Sequence, residues 1–238
     1  DHTYNTAFDM DDARMSELVF RRPVDAVATY DWLVDTLAAD GGPLVGCVDP
    51  ADGYAMSGHS FGGYSLFALA GAQYDLDTLL PACADGTGPS SICSTITESL
   101  ADRLAQGFTD PRVDAWVPMA PGDFNLFGSA GMSGLSAPVL LMSGDLDPRA
   151  TDNPASYWAA MDRGDHRHLV VTGGGHQTFT DYSEVLESFE GLIGADDGWR
   201  IVNAYLLAFA RRHALDDATM QPVLDGTLQI SDQAVLEQ

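Results

Sequence analysis

The stretch "SGHSFGGYSLFALAG", residues 57–71, places a serine between glycines where an apolar segment meets a helix-like one. Residues 53–57 predict a short strand, and residues 61–71 predict the helix that follows it. A chain that passes directly from strand to helix must make a sharp, strained turn at Ser60. Side chains at positions 58 and 62 are expected to collide with the neighbouring strand and helix, so the pattern predicts that both positions require glycine.

The rest of the chain alternates predicted strands and helices, which favours a single α/β domain over residues 1–238. We expect a mostly parallel sheet flanked by helices. Further strands are predicted over residues 113–120, 137–144 and 166–174. The second of these is almost wholly apolar, which is typical of a strand buried on both faces.

Three longer helices are predicted. One covers residues 23–39, with Pro23 at its start. Another lies within residues 151–164, where Asn153 is the expected cap, and the last covers residues 198–215. The first helix is expected to bury one apolar stripe, formed by Val27, Tyr30, Val34 and Leu37. The last is amphipathic, with one apolar face formed by Ile201, Ala204, Tyr205, Ala208 and Phe209.

The charge is strongly acidic. Thirty-five acidic residues against 11 basic ones, all arginine, give a formal net charge of −24. Such a surface repels nucleic acid and anionic lipid, so neither is an expected partner. No run of about 18 apolar residues is present, so no membrane span is predicted.

The chain has three cysteines. Cys83 and Cys93 bracket the loop "CADGTGPSSIC", where a disulfide would pin a flexible segment and indicate an oxidising compartment; two buried thiols are the alternative. Cys47 is left over, either free or paired with a partner outside this chain. No zinc-ligand spacing is present. The acidic turn "DLDPRATDN" does not favour calcium, because Arg149 stands where an oxygen ligand is needed. We therefore expect no metal and no cofactor.

Ser60 is the predicted nucleophile, since G-x-S-x-G between strand and helix lifts the serine hydroxyl clear of the sheet. The following helix directs its positive end towards the reacting oxygen, and the backbone N–H of Phe61 is the predicted oxyanion donor. A serine nucleophile needs a base and an orienting acid, expected later in the chain in the order acid, then histidine.

The acid and the base are each predicted at the end of a strand. "GDLDP" follows the 137–144 strand; we favour Asp147 as the acid, with Asp145 bracing the turn. "GGGHQTF" follows the 166–174 strand and makes His176 the predicted base. His59 is expected to pack under the serine turn. His166 and His168 are expected to be structural or exposed, and the terminal His2 and His213 lack the sequence context of a base.

In this order, "GHSFGGYS", "PVLLMSGDLDP" and "GGGHQTF" resemble the α/β-hydrolases. More narrowly, they resemble the bacterial serine esterases grouped with plasma-type platelet-activating-factor acetylhydrolase and predicted dienelactone hydrolases, with cutinase-like polyester hydrolases as neighbours. "DHTYNTAFD" followed by "FRRPVDAVATYDWL" is similar to that group's stretch before the nucleophile. The resemblance covers about residues 1–215 and implies the α/β-hydrolase fold. Serine at position 60 argues against the cysteine chemistry of dienelactone hydrolases proper.

The resemblance also implies a departure. The family has further strands before the nucleophile, and a loop after the third strand donates a second oxyanion N–H. "DHTYNT" is similar to the end of the fourth strand, so no residue here is a candidate second donor. The missing strands would be a separate N-terminal polypeptide that completes the fold, a part of the protein outside this sequence, or a true loss. A separate polypeptide would give Cys47 a partner. Their absence would leave an open sheet edge prone to association.

The function predicted is a secreted or periplasmic serine carboxylesterase that acts through an acyl-enzyme on small acyl or aryl esters, with polyesters as a further substrate class. Phe61, Met119 and Phe124 are the predicted acyl-pocket residues, with core packing as the alternative. The competing function, from a different class, is a non-catalytic α/β-hydrolase subunit. It would act by binding a complementary fragment at its open sheet edge.

Overall fold

The protein is an α/β structure in which a five-stranded, mostly parallel sheet carries helices on both faces. The computed structural model describes residues 5–6, 9–10, 14–48, 51, 53–149 and 153–237. The strands are β1 (Asn5–Thr6), β2 (Asp9–Met10), β3 (Tyr54–His59), β4 (Val113–Met119), β5 (Val139–Gly144), β6 (His166–Val171) and β7 (Ala234–Glu237). The longer helices are α1 (Met15–Trp32), α2 (Phe61–Leu69), α3 (Leu76–Ala84), α5 (Glu98–Ala105), α7 (Pro154–Ala160) and α9 (Ala195–Ala214). The shorter ones are α4 (Ser90–Cys93), α6 (Gly128–Met132), α8 (Ser183–Leu186) and α10 (Gln221–Leu224).

The sheet has the order β3-β4-β5-β6-β7. The first four strands are parallel, and β7 runs antiparallel to β6. All six residues of β5 are buried, which confirms the expectation of a strand covered on both faces. One apolar layer lies between the sheet and α1 and α2, and the other lies beneath α9. The four predicted strands of this sheet are confirmed, with bounds that differ by a few residues at most.

Within the described part of the chain, β3 pairs with β4 alone and forms an edge of the sheet. Ala55 and Ser57 on this strand are exposed. The likeness of "DHTYNT" to the end of a sheet strand predicted that this segment would join the main sheet. The structure differs, because Asn5–Thr6 lies outside that sheet. It pairs antiparallel with Asp9–Met10, where a local ladder satisfies the backbone groups within a few residues; residues 1–4 lie outside the described part.

Helix α1 begins at Met15, eight residues before the predicted start, and Pro23 lies inside it rather than at its N-terminus. Proline has no N–H to donate to the carbonyl of Val19, four residues earlier, and that carbonyl instead accepts the hydroxyl of Tyr64 at 2.9 Å. A side chain from another helix therefore supplies the hydrogen bond that the proline removes. The predicted stripe of this helix is only half-buried; the buried positions are Ser16, Leu18, Val19 and Pro23.

The other two helix predictions differ in detail. Helix α7 starts after Asn153 as expected, but the Asn153 side chain does not cap it and instead accepts the N–H of Phe124 at 3.0 Å. Helix α9 starts three residues earlier than predicted, and its predicted face is buried except for Ala204, which is half-buried.

A disulfide joins Cys83 in α3 to Cys93 in α4, which confirms the predicted pairing. Cys47 is a free, exposed thiol in the described chain. None of the described helices is both long enough and apolar enough to cross a membrane.

Because the disulfide closes a loop with a sequence separation of 10, we expect the Cys83→Ser/Cys93→Ser double variant to lose about 2–3 kcal/mol of unfolding free energy. Urea denaturation under non-reducing conditions measures this loss. Cys47→Ser is the matched control and should leave the midpoint unchanged, since that thiol is free and exposed. Equal midpoints for all three proteins would contradict a stabilising crosslink.

Candidate active site

Three strand ends place polar side chains at one edge of the sheet. Ser60 follows β3, Asp147 follows β5 and His176 follows β6. Because these strands are parallel, their carboxyl ends lie on the same side. The structure brings together the three residues that the sequence singled out.

Ser60 occupies the sharp turn between β3 and α2. Its backbone has φ 57° and ψ −116°, a combination that residues other than glycine rarely adopt. The Ser60 N–H donates to the carbonyl of Met119 at 2.9 Å, and its carbonyl accepts the N–H of Tyr64 at 3.1 Å. Phe61 is the first residue of α2, so its N–H has no acceptor within the helix and lies at the positive end of the helix dipole.

The glycines of this turn have unequal roles. A Cβ at Gly58 would lie 2.7 Å from the carbonyl carbon of Gly62, so glycine is required there. The nearest atom to a Cβ at Gly62 is the Arg22 guanidinium at 3.9 Å, an ordinary contact distance. The prediction that both positions need glycine is therefore wrong for position 62. The second tight position is Gly63, where a Cβ would lie 2.9 Å from Pro121.

His176 is hydrogen-bonded at both ring nitrogens. Its Nε2 lies 3.0 Å from the Oγ of Ser60, and its Nδ1 lies 2.7 Å from Oδ2 of Asp147. A carboxylate only accepts hydrogen bonds, so Nδ1 carries the proton and the Nε2 lone pair faces the serine hydroxyl. His176 and Asp147 are both buried, at 4% exposure each, which shields the pair from water.

Asp147 is held as a carboxylate by its neighbours. Burial by itself raises the pKa of Asp147, but hydrogen bonds from His176 and from the N–H of Arg149, at 2.9 Å, hold that pKa below its ordinary value. Asp145 accepts the N–H of Gly173 at 2.7 Å and so braces the turn against the neighbouring loop, as expected.

Two side chains hold the backbone of the histidine loop, a role that was not predicted for either of them from the sequence. The Glu187 carboxylate accepts the N–H groups of His176 and Gln177, each at 2.9 Å. His59 lies 2.8 Å from the His176 carbonyl through Nε2, which must carry the proton because a carbonyl only accepts. No motif marks Glu187, and the place of His59 beside Ser60 is the only signal in the sequence for its role.

His59 is neutral in the folded protein. Burial is the main cause that lowers the pKa of His59 to about 4, and His176 lowers it further. A neutral ring at this place keeps a second positive charge away from His176 when that residue takes up a proton.

The two histidines of β6 were expected to be either structural or exposed, and the structure shows them buried. His166 and His168 are both buried, and burial lowers the pKa of each. The His168 ring lies 2.8 Å from Ser143 Oγ and 2.9 Å from Glu237. This arrangement has the composition of a catalytic triad, but the Ser143 hydroxyl lies within the sheet, where the residue is only 3% exposed.

The predicted pocket residues occupy different surroundings. Met119 packs in the core beneath α9, and its carbonyl supports the Ser60 turn. Phe61 is half-buried, stacked on Tyr64 with the Arg22 guanidinium 4.7 Å from its ring centroid. Phe124 packs edge-on against the Tyr157 ring, with centroids 5.1 Å apart.

Among the described residues, no group of three histidine, cysteine or acidic side chains is arranged to hold a metal ion. Comparison with models of known protein families and with curated proteins found no match to this chain. What the site can do is therefore argued from its geometry and chemistry.

The unequal glycines give a paired prediction. Gly58→Ala should destabilise the protein by about 1–3 kcal/mol, because the new methyl group overlaps the backbone of Gly62. Gly62→Ala should change stability by less than about 1 kcal/mol, since the position has space and alanine favours a helix. Urea unfolding of both variants measures the difference, and equal losses would contradict the assignment.

The neutral state of His59 gives a pH prediction. The unfolded histidine titrates at about 6.5 and the folded one at about 4, so between these values the unfolded state binds more protons and stability falls as the pH falls. His59→Gln keeps an N–H donor but cannot titrate. Between pH 7 and 4 we expect this variant to lose about 2–3 kcal/mol less than the unaltered protein in urea unfolding. Parallel losses in the two proteins would rule out a buried neutral His59.

Proposed function

We propose that the protein is a serine hydrolase that cleaves carboxylic esters, with Ser60 as nucleophile, His176 as base and Asp147 as the orienting acid. The observation that carries this proposal is the unbroken hydrogen-bonded series from Ser60 Oγ through both ring nitrogens of His176 to Asp147. We further propose that the α/β sheet belongs to the α/β-hydrolase fold. The strained serine turn between β3 and α2 and the chain order serine, acid, histidine support that assignment.

The geometry supports a two-step mechanism. The Ser60 oxygen attacks the ester carbonyl carbon while its proton moves to Nε2 of His176. Asp147 stabilises the imidazolium, and the Phe61 N–H donates to the oxyanion. When the tetrahedral intermediate collapses, the bond to the alcohol oxygen breaks and that oxygen takes the proton from His176. Water then attacks the acyl-enzyme, gives its proton to His176, and Ser60 regains a proton as the acid leaves.

Small acyl or aryl esters are the proposed substrates, with polyesters as a further class. A net charge of −24 disfavours anionic substrates and neither helps nor hinders the binding of uncharged esters. Every step above uses only side chains and backbone of this chain together with water. The disulfide between Cys83 and Cys93 supports a secreted or periplasmic location, where oxidising conditions keep it formed.

A fluorophosphonate probe tests the proposed nucleophile, because its phosphorus is readily attacked by a serine that a neighbouring base activates. We expect labelling at Ser60 in the unaltered protein and its complete loss in Ser60→Ala. For Asp147→Asn we expect kcat for ester hydrolysis to fall on the order of 10⁴-fold. Ser143→Ala is the matched control, since Ser143 also contacts a histidine but is buried, and it should label normally. Labelling that survives in Ser60→Ala would refute the proposal.

Among the described residues β3 is an edge strand, which favours a second candidate, a subunit that acts by binding a complementary strand there. The same probe separates the two functions. A folded protein that does not label, and that gains labelling only with an added partner polypeptide, would favour the subunit. Intact mass under reducing and non-reducing conditions would show whether Cys47 carries such a partner.

A further inference from the structure

Exposed apolar side chains are concentrated beside the histidine loop. Four lie in the eight-residue segment 182–189, which includes α8: Tyr182, Val185, Leu186 and Phe189, which are 60%, 77%, 62% and 41% exposed. Leu146, at 39%, is a fifth. We call these five residues the apolar rim. Contiguous exposed apolar surface on a protein marks a place where something apolar binds.

The apolar rim adjoins two of the three segments that carry the proposed triad, those of Asp147 and His176. Leu146 immediately precedes Asp147. The Phe189 ring reaches the backbone before His176, since a Cβ at Gly175 would lie 2.8 Å from its Cζ. Leu186 directly precedes Glu187 in the chain, and the Glu187 carboxylate accepts the N–H groups of His176 and Gln177. The part of the apolar rim formed by Leu146 and Phe189 therefore lies next to the segments that carry Asp147 and His176.

We propose that the apolar rim recognises the substrate, and that this substrate is an uncharged ester presented at a water-insoluble surface. The proposal rests on the proposed esterase function and adds the physical form of the ester to it. Val185 and Leu186 are the most exposed apolar positions of α8, so they make the first contact with such a surface.

Charge selects among apolar surfaces. Residues 181–193 contain four acidic residues, Asp181, Glu184, Glu187 and Glu190, and no basic or histidine residue. An anionic bilayer would be repelled by this segment as well as by the net charge of −24. A neutral ester phase gains the burial of apolar side chains without that repulsion.

One substrate in two physical states tests the proposal. Glyceryl tributyrate is assayed below its solubility limit, as dissolved molecules, and above it, as an emulsion. The variant is Val185→Ser/Leu186→Ser, and the matched control is Leu207→Ser/Leu215→Ser, which removes two leucines that are 56% and 67% exposed elsewhere on the protein. Circular dichroism and urea midpoints establish that both variants fold.

We expect the ratio of the emulsion rate to the dissolved rate to fall about tenfold or more in Val185→Ser/Leu186→Ser, because both side chains lose apolar contact at the droplet. The same ratio should stay within about twofold in the control. An unchanged ratio in the variant, an equal fall in the control, or equal losses on dissolved and emulsified ester would each overturn the proposal. So would conversion of a dimer to a monomer by the variant in sedimentation, since the apolar rim would then bind a second copy.

A binding measurement separates this proposal from the esterase function itself. The inactive Ser60→Ala protein is mixed with the tributyrate emulsion, and the protein depleted with the droplets is measured. If the depletion disappears when the Val185→Ser and Leu186→Ser substitutions are introduced into the Ser60→Ala protein, the apolar rim binds the droplets, even if no hydrolysis is found. If the unaltered protein hydrolyses dissolved ester but Ser60→Ala stays in the aqueous phase, the esterase function stands and the apolar rim proposal fails.

Discussion

The backbone turn at Ser60 is the constraint on which the rest of the site depends. A serine at φ 57° and ψ −116° is strained, and the turn persists because neighbouring elements fix it. The carbonyl of Met119 on β4 holds the serine N–H, and the absence of a side chain at Gly58 lets Gly62 approach. The free energy of folding β3, β4 and α2 together thus offsets the local strain. As a result of this turn, the Ser60 hydroxyl lies at the end of the sheet, next to the start of α2.

The histidine loop is held by side chains from three separate segments. Asp147 binds one ring nitrogen, Glu187 binds the backbone N–H, and His59 binds the carbonyl. A proton acceptor must stay within hydrogen-bond distance of its donor while its charge changes. In the proposed mechanism, fixing both the ring and the backbone of His176 limits its movement during that change, and these contacts link His176 to β3, β5 and the segment after α8.

The parts of the fold and site that could be predicted from sequence are those with a local cause. Apolar runs predicted the four parallel strands of the main sheet, β3 to β6, but not the antiparallel strand β7. For β5 the apolar run reflects burial on both faces. The serine between glycines, the acid after β5 and the histidine after β6 were predictable because parallel strands bring their ends to one side. The helix α1 was predicted poorly for a nonlocal reason: Pro23 is accommodated inside it by a hydroxyl from Tyr64, 41 residues later in the chain.

The sequence by itself was enough to predict the α/β class, the disulfide and the three residues that the structure brings together at the candidate site, since each follows from spacing and side-chain chemistry within a short segment. Only the tertiary structure decided that Gly62 has room for a side chain, that Glu187 and His59 hold the backbone at His176, and that the exposed Phe189 ring lies against Gly175 beside that histidine. Those facts depend on distances between segments that are far apart in the chain, and packing of the whole domain sets them.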